Sequence, residues 1–148
     1  MLLSLDSSAA IKWVLQEQGW KAVDRVIHDA RTECILAGPA LTEVIFRARA
    51  RGNVSPPEQI ATVLGAQGIR VEPALEADLL RAAQLLETSA AHPGTPNNPT
   101  DFGPTLSLGD ATILAVSERL EAVVLTGDRY WEWMVDQGLL SVKVHTIP

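Results

Sequence analysis

The chain has 148 residues, a length that suits one domain able to bury a substantial core. Hydrophobic residues make up 47% and charged residues 20%, which places it among ordinary globular proteins and excludes a disordered tail or a fibrous chain. A net charge of −6 excludes a surface that grips nucleic acid all over. No apolar run approaches the roughly 20 residues of a membrane span, and Met1 to Asp6 meets a charge too early for a signal peptide. A single cysteine, Cys34, rules out an internal disulfide and suits a reducing cytoplasm. It opens the apolar run Cys34-Ile35-Leu36-Ala37, so it reads as a buried structural thiol.

In chain order, Leu2 to Leu5 is a short apolar strand that stops at Asp6-Ser7-Ser8, a natural helix-capping cluster. A helix over about 8–16 and a second over about 20–31 follow, with Ile11, Val14, Val23, Val26 and Ile27 at helical spacing. Residues 34–38 form the next strand, and Pro39 opens a helix running to Gly52. Ser55-Pro56-Pro57-Glu58 reads as a capping box starting another helix. Ile69 to Glu72 alternates as a strand, and residues 75–88 are strongly helical. The segment 89–105 carries Pro93, Pro96, Pro99 and Pro104, a density of breakers that no regular element survives. Helix resumes at Ser107 and runs to Leu120, followed by a buried-type strand at 122–125, a short helix over 129–137 and a last strand over 140–145. Strands alternating with helices predict an α/β fold with a mostly parallel central sheet of four to five strands, covered on both faces. No repeat, linker or second domain interrupts residues 1–148.

Four acids follow this topology. In a parallel α/β sheet the residues beyond the strands gather at one edge, where ligands bind. Asp6 lies just beyond the first strand and Asp128 just beyond the fourth. Glu43 is one turn into the helix after the second strand. Asp110 is in the first turn of the helix that feeds the fourth strand, which would ordinarily begin at the opposite edge. It joins the others only if the proline-rich segment first returns the chain across the sheet. Carboxylates about 4 Å apart repel by about 4 kcal/mol at an effective dielectric near 20, so such a pocket needs a cation or protons. Oxygen-only donors select Mg²⁺ or Mn²⁺ over Zn²⁺. An ion held there would activate water for in-line attack on a phosphodiester, with one ion or two. Without the four acids the remaining charge is nearly balanced, so RNA could bind through a local basic rim.

Each acid also has a plainer reading. Asp6 can be a helix cap, Asp110 the partner of Ser107 in a capping box, Asp128 a turn residue, and Glu43 an i,i+4 partner of Arg47. Arg47 and Arg51 share a helix face on the Glu43 side and are candidate phosphate contacts. Lys12 and Arg129 are weaker members of the same rim. The four tryptophans read as core or interface anchors, and the three histidines show no ligand spacing. A signalling receiver would want an Asp after the third strand, where Val71-Glu72-Pro73-Ala74 offers none. An Asp-nucleophile phosphatase would want a second Asp where Ser8 stands.

Asp-Ser-Ser-Ala at the end of the first strand, Thr-Glu-Val in the third helix, Leu-Ser-Leu-Gly-Asp-Ala and Val-Leu-Thr-Gly-Asp-Arg-Tyr-Trp together resemble the PIN-domain nucleases. The match is closest to the VapC-like ribonuclease toxins of toxin–antitoxin pairs and runs the whole chain. The resemblance implies a PIN-like three-layer α/β/α sandwich and a catalytic quartet of Asp6, Glu43, Asp110 and Asp128. It makes Asp6, Asp110 and Asp128 the metal ligands, Asp6 and Asp110 foremost, with Ser8 and Thr126 supporting. It also implies Mg²⁺ (or Mn²⁺) dependence, an RNA substrate, a cognate antitoxin, homodimerisation, and an Asp110 helix that begins at the acidic edge. A non-catalytic RNA-binding or protein-interaction module of the same fold is the alternative. The departure is the insertion 89–105, expected to lie beside the pocket, with Asp101 in it as a stray acid.

Overall fold

In the computed structural model, which describes residues 1–95 and 103–147, five strands alternate with seven helices. The strands are β1 (Leu2–Leu5), β2 (Glu33–Ala37), β3 (Ile69–Glu72), β4 (Val123–Thr126) and β5 (Lys143–Thr146). The helices are α1 (Ser7–Val14), α2 (Trp20–Ile27), α3 (Gly38–Ala50), α4 (Pro57–Ala66), α5 (Glu76–Ala91), α6 (Leu108–Arg119) and α7 (Arg129–Asp136). The strands pair in the order β3-β2-β1-β4-β5, every pair parallel. Leu3, Ser4 and Leu5 of β1 are all buried, as are Cys34 to Ala37 of β2. That is why these segments are almost entirely apolar, Ser4 excepted, whereas the edge strands β3 and β5 keep exposed positions.

Strand order dictates the layers. From β1 the chain moves outward to β2 and β3, then crosses back to β4 and β5. Right-handed crossovers put α1 to α4 on one face and α5 to α7 on the other, a three-layer α/β/α sandwich. The direction reverses between β1 and β4, and open sheets of this kind place their ligand crevice beyond the strand ends at that reversal. Asp6 and Asp128 follow these two strands. Trp131, 1% exposed, packs in the core with Leu3, Leu5, Ile113, Leu114 and Met134. Cys34 is buried and free, and burial, with the neighbouring Glu33 charge, pushes its thiol up to about 11, so it is an inert structural thiol.

Several boundaries differ from expectation for local reasons. Helix α2 stops at Ile27 rather than near 31, because Asp29 takes the Arg31 amide (2.9 Å) and guanidinium into a side-chain turn. Ser55 and Glu58 form no capping box. Pro56 is the N-cap, while the Ser55 amide donates to Asn53 Oδ1 (2.9 Å) and its carbonyl accepts from Arg49. Strand β5 begins at Lys143 rather than 140, since Glu118 captures Ser141 through its amide and hydroxyl.

The largest difference concerns the return of the chain. Helix α5 continues through Ser89 to Ala91, beyond its expected end at 88. Its start lies beside the end of α6, where Arg119 pairs with Asp78 (2.8 Å) and Arg81 with Glu118 (2.7 Å). Its end lies beside the start of α6, where Ser89 Oγ accepts the Leu106 amide (2.8 Å). The antiparallel α5 therefore carries the chain back, not the proline-rich segment. That insertion leaves and re-enters at one point, closed by the Gly94 amide donating to the Pro104 carbonyl (2.8 Å). Residues 96–102, with Pro96, Pro99 and Asp101, lie outside the described residues.

Candidate active site

Asp6 ends β1, its amide extending the ladder to the Leu125 carbonyl (2.9 Å), and it caps α1. Only 4% exposed, its carboxylate accepts from the Ser7 amide (2.7 Å), the Ser8 hydroxyl (2.6 Å) and the Thr126 hydroxyl (2.8 Å). Both hydroxyls are tied onward to the loop after β4. Ser8 Oγ accepts the Gly127 amide (2.8 Å), and Thr126 Oγ1 accepts the Asp128 amide (3.0 Å). Two small side chains thereby staple the ends of β1 and β4.

Asp110 sits at the third position of α6. Its Oδ2 accepts the Ser107 amide (2.9 Å) and its own amide donates to Ser107 Oγ (3.1 Å), a complete capping box. Asp128 caps α7, accepting the Tyr130 amide on Oδ1 (2.8 Å). Three acids from three segments thus all hold helix N-termini, whose exposed amides stabilise negative charge. The plainer readings of Asp6 and Asp110 are present in full, and Asp128 caps as well. They do not exhaust the carboxylates, because capping occupies Oδ2 of Asp110 and Oδ1 of Asp128. Asp110 Oδ1 and Asp128 Oδ2 make no hydrogen bond among the described residues.

The electrostatics link the three. Burial pushes the Asp110 carboxyl above its ordinary range against the opposing Ser107 bonds, and the charges of Asp6 and Asp128 push it the same way. Burial likewise raises Asp6, outweighing the bonds from Ser8, Thr126 and Ser7. Glu43 lies on α3. It pairs with Arg47 (2.9 Å) on the exposed side of α3, beside a groove also lined by Phe46, Leu79, Leu108 and Gly109.

The expected basic rim is already engaged. Arg47 is held by Glu43, and Arg51 reaches away to Glu17 in the turn after α1. Lys12 lies in the last turn of α1, and Arg129 begins α7 directly after Asp128. Of the tryptophans, Trp131 is core, Trp13 bonds Asp24 (2.9 Å), and Trp133 stacks on Tyr130 with ring centres 5.7 Å apart.

Residues 3–134 match the family of PIN domains. The chain belongs to the PIN-domain family. Among solved structures, this PIN domain is similar to VapBC2 from Rickettsia felis bound to a DNA fragment of its promoter (TM-score 0.66, 8% identity, 100% of each chain covered). It is similar also to VapBC-1 from nontypeable Haemophilus influenzae (0.64, 17% identity, 99% of this chain and 98% of that one). A third similar structure is VapC20 from Mycobacterium tuberculosis, a sarcin–ricin-loop-cleaving toxin (0.59, 15% identity, 82% and 86%). At these identities the likeness is one of fold. No match was found among curated proteins.

PIN domains generally use a divalent metal, and the donors present here fit one. Asp6, Asp110 and Asp128 supply only carboxylate oxygen, suited to hard cations. Two of those oxygens, Asp110 Oδ1 and Asp128 Oδ2, make no hydrogen bond among the described residues. Among the described residues no group of three or more His, Cys, Asp or Glu is arranged, as it stands, to hold a metal ion. The PIN domain therefore sets Asp110 in the field of Asp6 and Asp128 without closing the acids into a finished cage. Sequence reasoning missed three contributors. The Ser7 and Gly127 amides carry no side-chain signal, and Ser89 lay in a stretch read as loop.

Proposed function

We propose that this PIN domain is a Mg²⁺- or Mn²⁺-dependent endoribonuclease and the toxin of a toxin–antitoxin pair. The observation that carries the reading is the trio Asp6, Asp110 and Asp128. They come from three segments at the strand-order reversal, Asp110 feels the charges of Asp6 and Asp128, and Asp110 Oδ1 and Asp128 Oδ2 carry no hydrogen bond among the described residues. Asp6, Asp110 and Asp128 would hold the ion, and when bound it would supply a Lewis acid for the phosphoryl oxygens and an acidified water. Ser8 and Thr126 orient Asp6, leaving it little rotational freedom. The amides at the starts of α1, α6 and α7 offset the gathered negative charge. Glu43 would contribute by leaving Arg47, which would free the Arg47 guanidinium to meet a phosphate; Arg51, on leaving Glu17, and Lys12 would be weaker contacts.

The partner reading has two supports. Solved structures of this fold include a toxin–antitoxin complex from Klebsiella pneumoniae and FitAB bound to an IR36 DNA fragment. An antitoxin protein is accordingly the proposed inhibitor. For a homodimer, the support is an exposed apolar face where Phe46 (70% exposed), Leu79 and Leu108 line a groove beside α3, α5 and α6. No helix among the described residues is long and apolar enough to cross a membrane, and the proposed site of action is the cytoplasm.

The test is cleavage of a panel of structured RNAs by purified protein. Cutting with Mg²⁺ or Mn²⁺ that stops with EDTA, and is absent in folded Asp6→Asn and Asp110→Asn, is the expected result. Folded mutants that cut at the wild-type rate would refute the assignment. RNA binding without cutting would favour the non-catalytic module. Separately, induced expression should arrest a bacterial host, and co-expressing the neighbouring small gene should relieve it.

A further inference from the structure

Behind the acids, away from any carboxylate, runs a buried chain of hydroxyls. Ser89 is fully buried near the end of α5, and Tyr130 in the first turn of α7 is 5% exposed. The Tyr130 hydroxyl lies 2.8 Å from the His92 carbonyl and 2.9 Å from Ser89 Oγ. A carbonyl can only accept, so the one phenolic proton goes to His92 and Ser89 must donate to Tyr130. Ser89 Oγ in turn accepts the Leu106 amide (2.8 Å). The result is one directional relay: Leu106 N–H to Ser89 O–H to Tyr130 O–H to His92 C=O. Each group is used once, and such chains polarise one another.

What matters is where the relay ends. Leu106 immediately precedes Ser107, whose amide and hydroxyl fix Asp110. Tyr130 donates its own amide to Asp128. The relay therefore joins the backbone that sets Asp110 to the backbone that sets Asp128. Packing alone does not call for these hydroxyls. Alanine would fill the Ser89 site on a helix, and phenylalanine would keep the stacking of Tyr130 on Trp133. Linking buried polar groups in series makes physical sense where geometry has to be held, as it must be for two carboxylates that repel.

We propose that Ser89 and Tyr130 are positioning residues that fix the spacing of Asp110 and Asp128 and so set the affinity of the acidic site for a divalent cation. This rests on the metal-dependent reading above. Groups hydrogen-bonded directly to the ligands commonly change metal affinity or activity by about 10–100-fold when removed, and the relay, one step further back, should fall at the low end of that range.

The test uses the full chain as Tyr130→Phe, Ser89→Ala and the double variant, with Ser117→Ala as control. Ser117 is an equally buried hydroxyl, bonded to Ser4 Oγ (2.8 Å) and the Ile113 carbonyl (2.7 Å), with no part in the relay. Mn²⁺ binding is measured by calorimetry, melting temperature in EDTA, and kcat and KM on an RNA oligonucleotide. Tyr130→Phe and Ser89→Ala should each weaken Mn²⁺ about tenfold and lower kcat with KM unchanged. The double variant should be little worse than either single one, as expected of a unit. Ser117→Ala should lower the melting temperature and leave Mn²⁺ affinity at the wild-type value. Wild-type affinity in both single relay variants would overturn the proposal, as would equal weakening in Ser117→Ala. A wild type that binds no Mn²⁺ and cuts no RNA would instead refute the functional reading, and the relay's role with it.

Discussion

Asp110→Asn separates a helix cap from a member of a charged site. An asparagine oxygen can still accept the Ser107 amide that Asp110 Oδ2 now holds, so the capping box survives in outline. What disappears is a negative charge facing Asp6 and Asp128, both of which raise the Asp110 carboxyl after burial has done so. Two unit charges about 8–10 Å apart repel by about 2 kcal/mol at an effective dielectric near 20, and solvent screening reduces this. Loss of an anion from a helix N-terminus costs about 0.5 kcal/mol. The metal-free variant should therefore be more stable than wild type at pH 7 by about 1 kcal/mol, or roughly 3 °C in melting temperature at this size. Because the folded carboxyl holds its proton to higher pH than the unfolded one, the folded state binds more protons between 3.8 and the raised pKa. Wild-type stability from this group is highest below that window and falls as pH rises through it. The gain from Asp110→Asn should accordingly be small near pH 4 and complete at neutral pH. Thermal denaturation in EDTA across pH 4–8 measures it. A variant less stable than wild type at pH 7, with an unchanged pH slope, would show that Asp110 is a cap and nothing more.

Thr126→Val keeps the shape of a fully buried side chain but deletes the donor to Asp6 and the acceptor for the Asp128 amide. It should cost about 2–3 kcal/mol by denaturant melts, with a smaller loss in acid, where Asp6 is protonated. Arg119→Met leaves Asp78, 2% exposed, without its guanidinium. Burial alone would raise Asp78, but the Arg119 bonds outweigh it and hold the carboxyl below its ordinary value. The pair therefore contributes above pH 3.8 and fades as pH falls through the lowered pKa, and the variant should lose about 3 kcal/mol at pH 7. Phe46→Asp, on the exposed apolar face, should convert a dimer into a monomer by light scattering while leaving the circular-dichroism spectrum unchanged. A wild type already monomeric at tens of micromolar would contradict the dimer.

The fold was readable because buried parallel strands announce themselves as short, mostly apolar runs, as Leu2 to Leu5 and Cys34 to Ala37 do, and because caps such as Ser107 and Asp6 mark helix starts. Boundaries failed where a side chain far away in sequence captured the backbone. Glu118 does this to Ser141, and the Arg49 guanidinium to the Ser55 carbonyl. The site was legible for the acids at strand ends, since topology alone brings Asp6 and Asp128 to one edge. Glu43 was left open, because nothing in its spacing decides between the shared pocket and the Arg47 pair it makes. Asp110 reaches the edge by a route the sequence hid. Ser89 looks like the first residue of a loop, yet it is a buried anchor inside a longer α5. Its partner, the Tyr130 hydroxyl, lies in a distant segment and leaves no local pattern.

Whether three carboxylates from separate elements act on one hard cation is tested most directly by Mn²⁺ titration of the metal-free wild type, Asp6→Asn and Asp110→Asn, followed by melting temperature. Mn²⁺ should stabilise the wild type by about 2.7 kcal/mol at 100 times its dissociation constant. Each variant should gain nothing at the same concentration. Equal Mn²⁺ stabilisation of all three proteins would contradict the shared site.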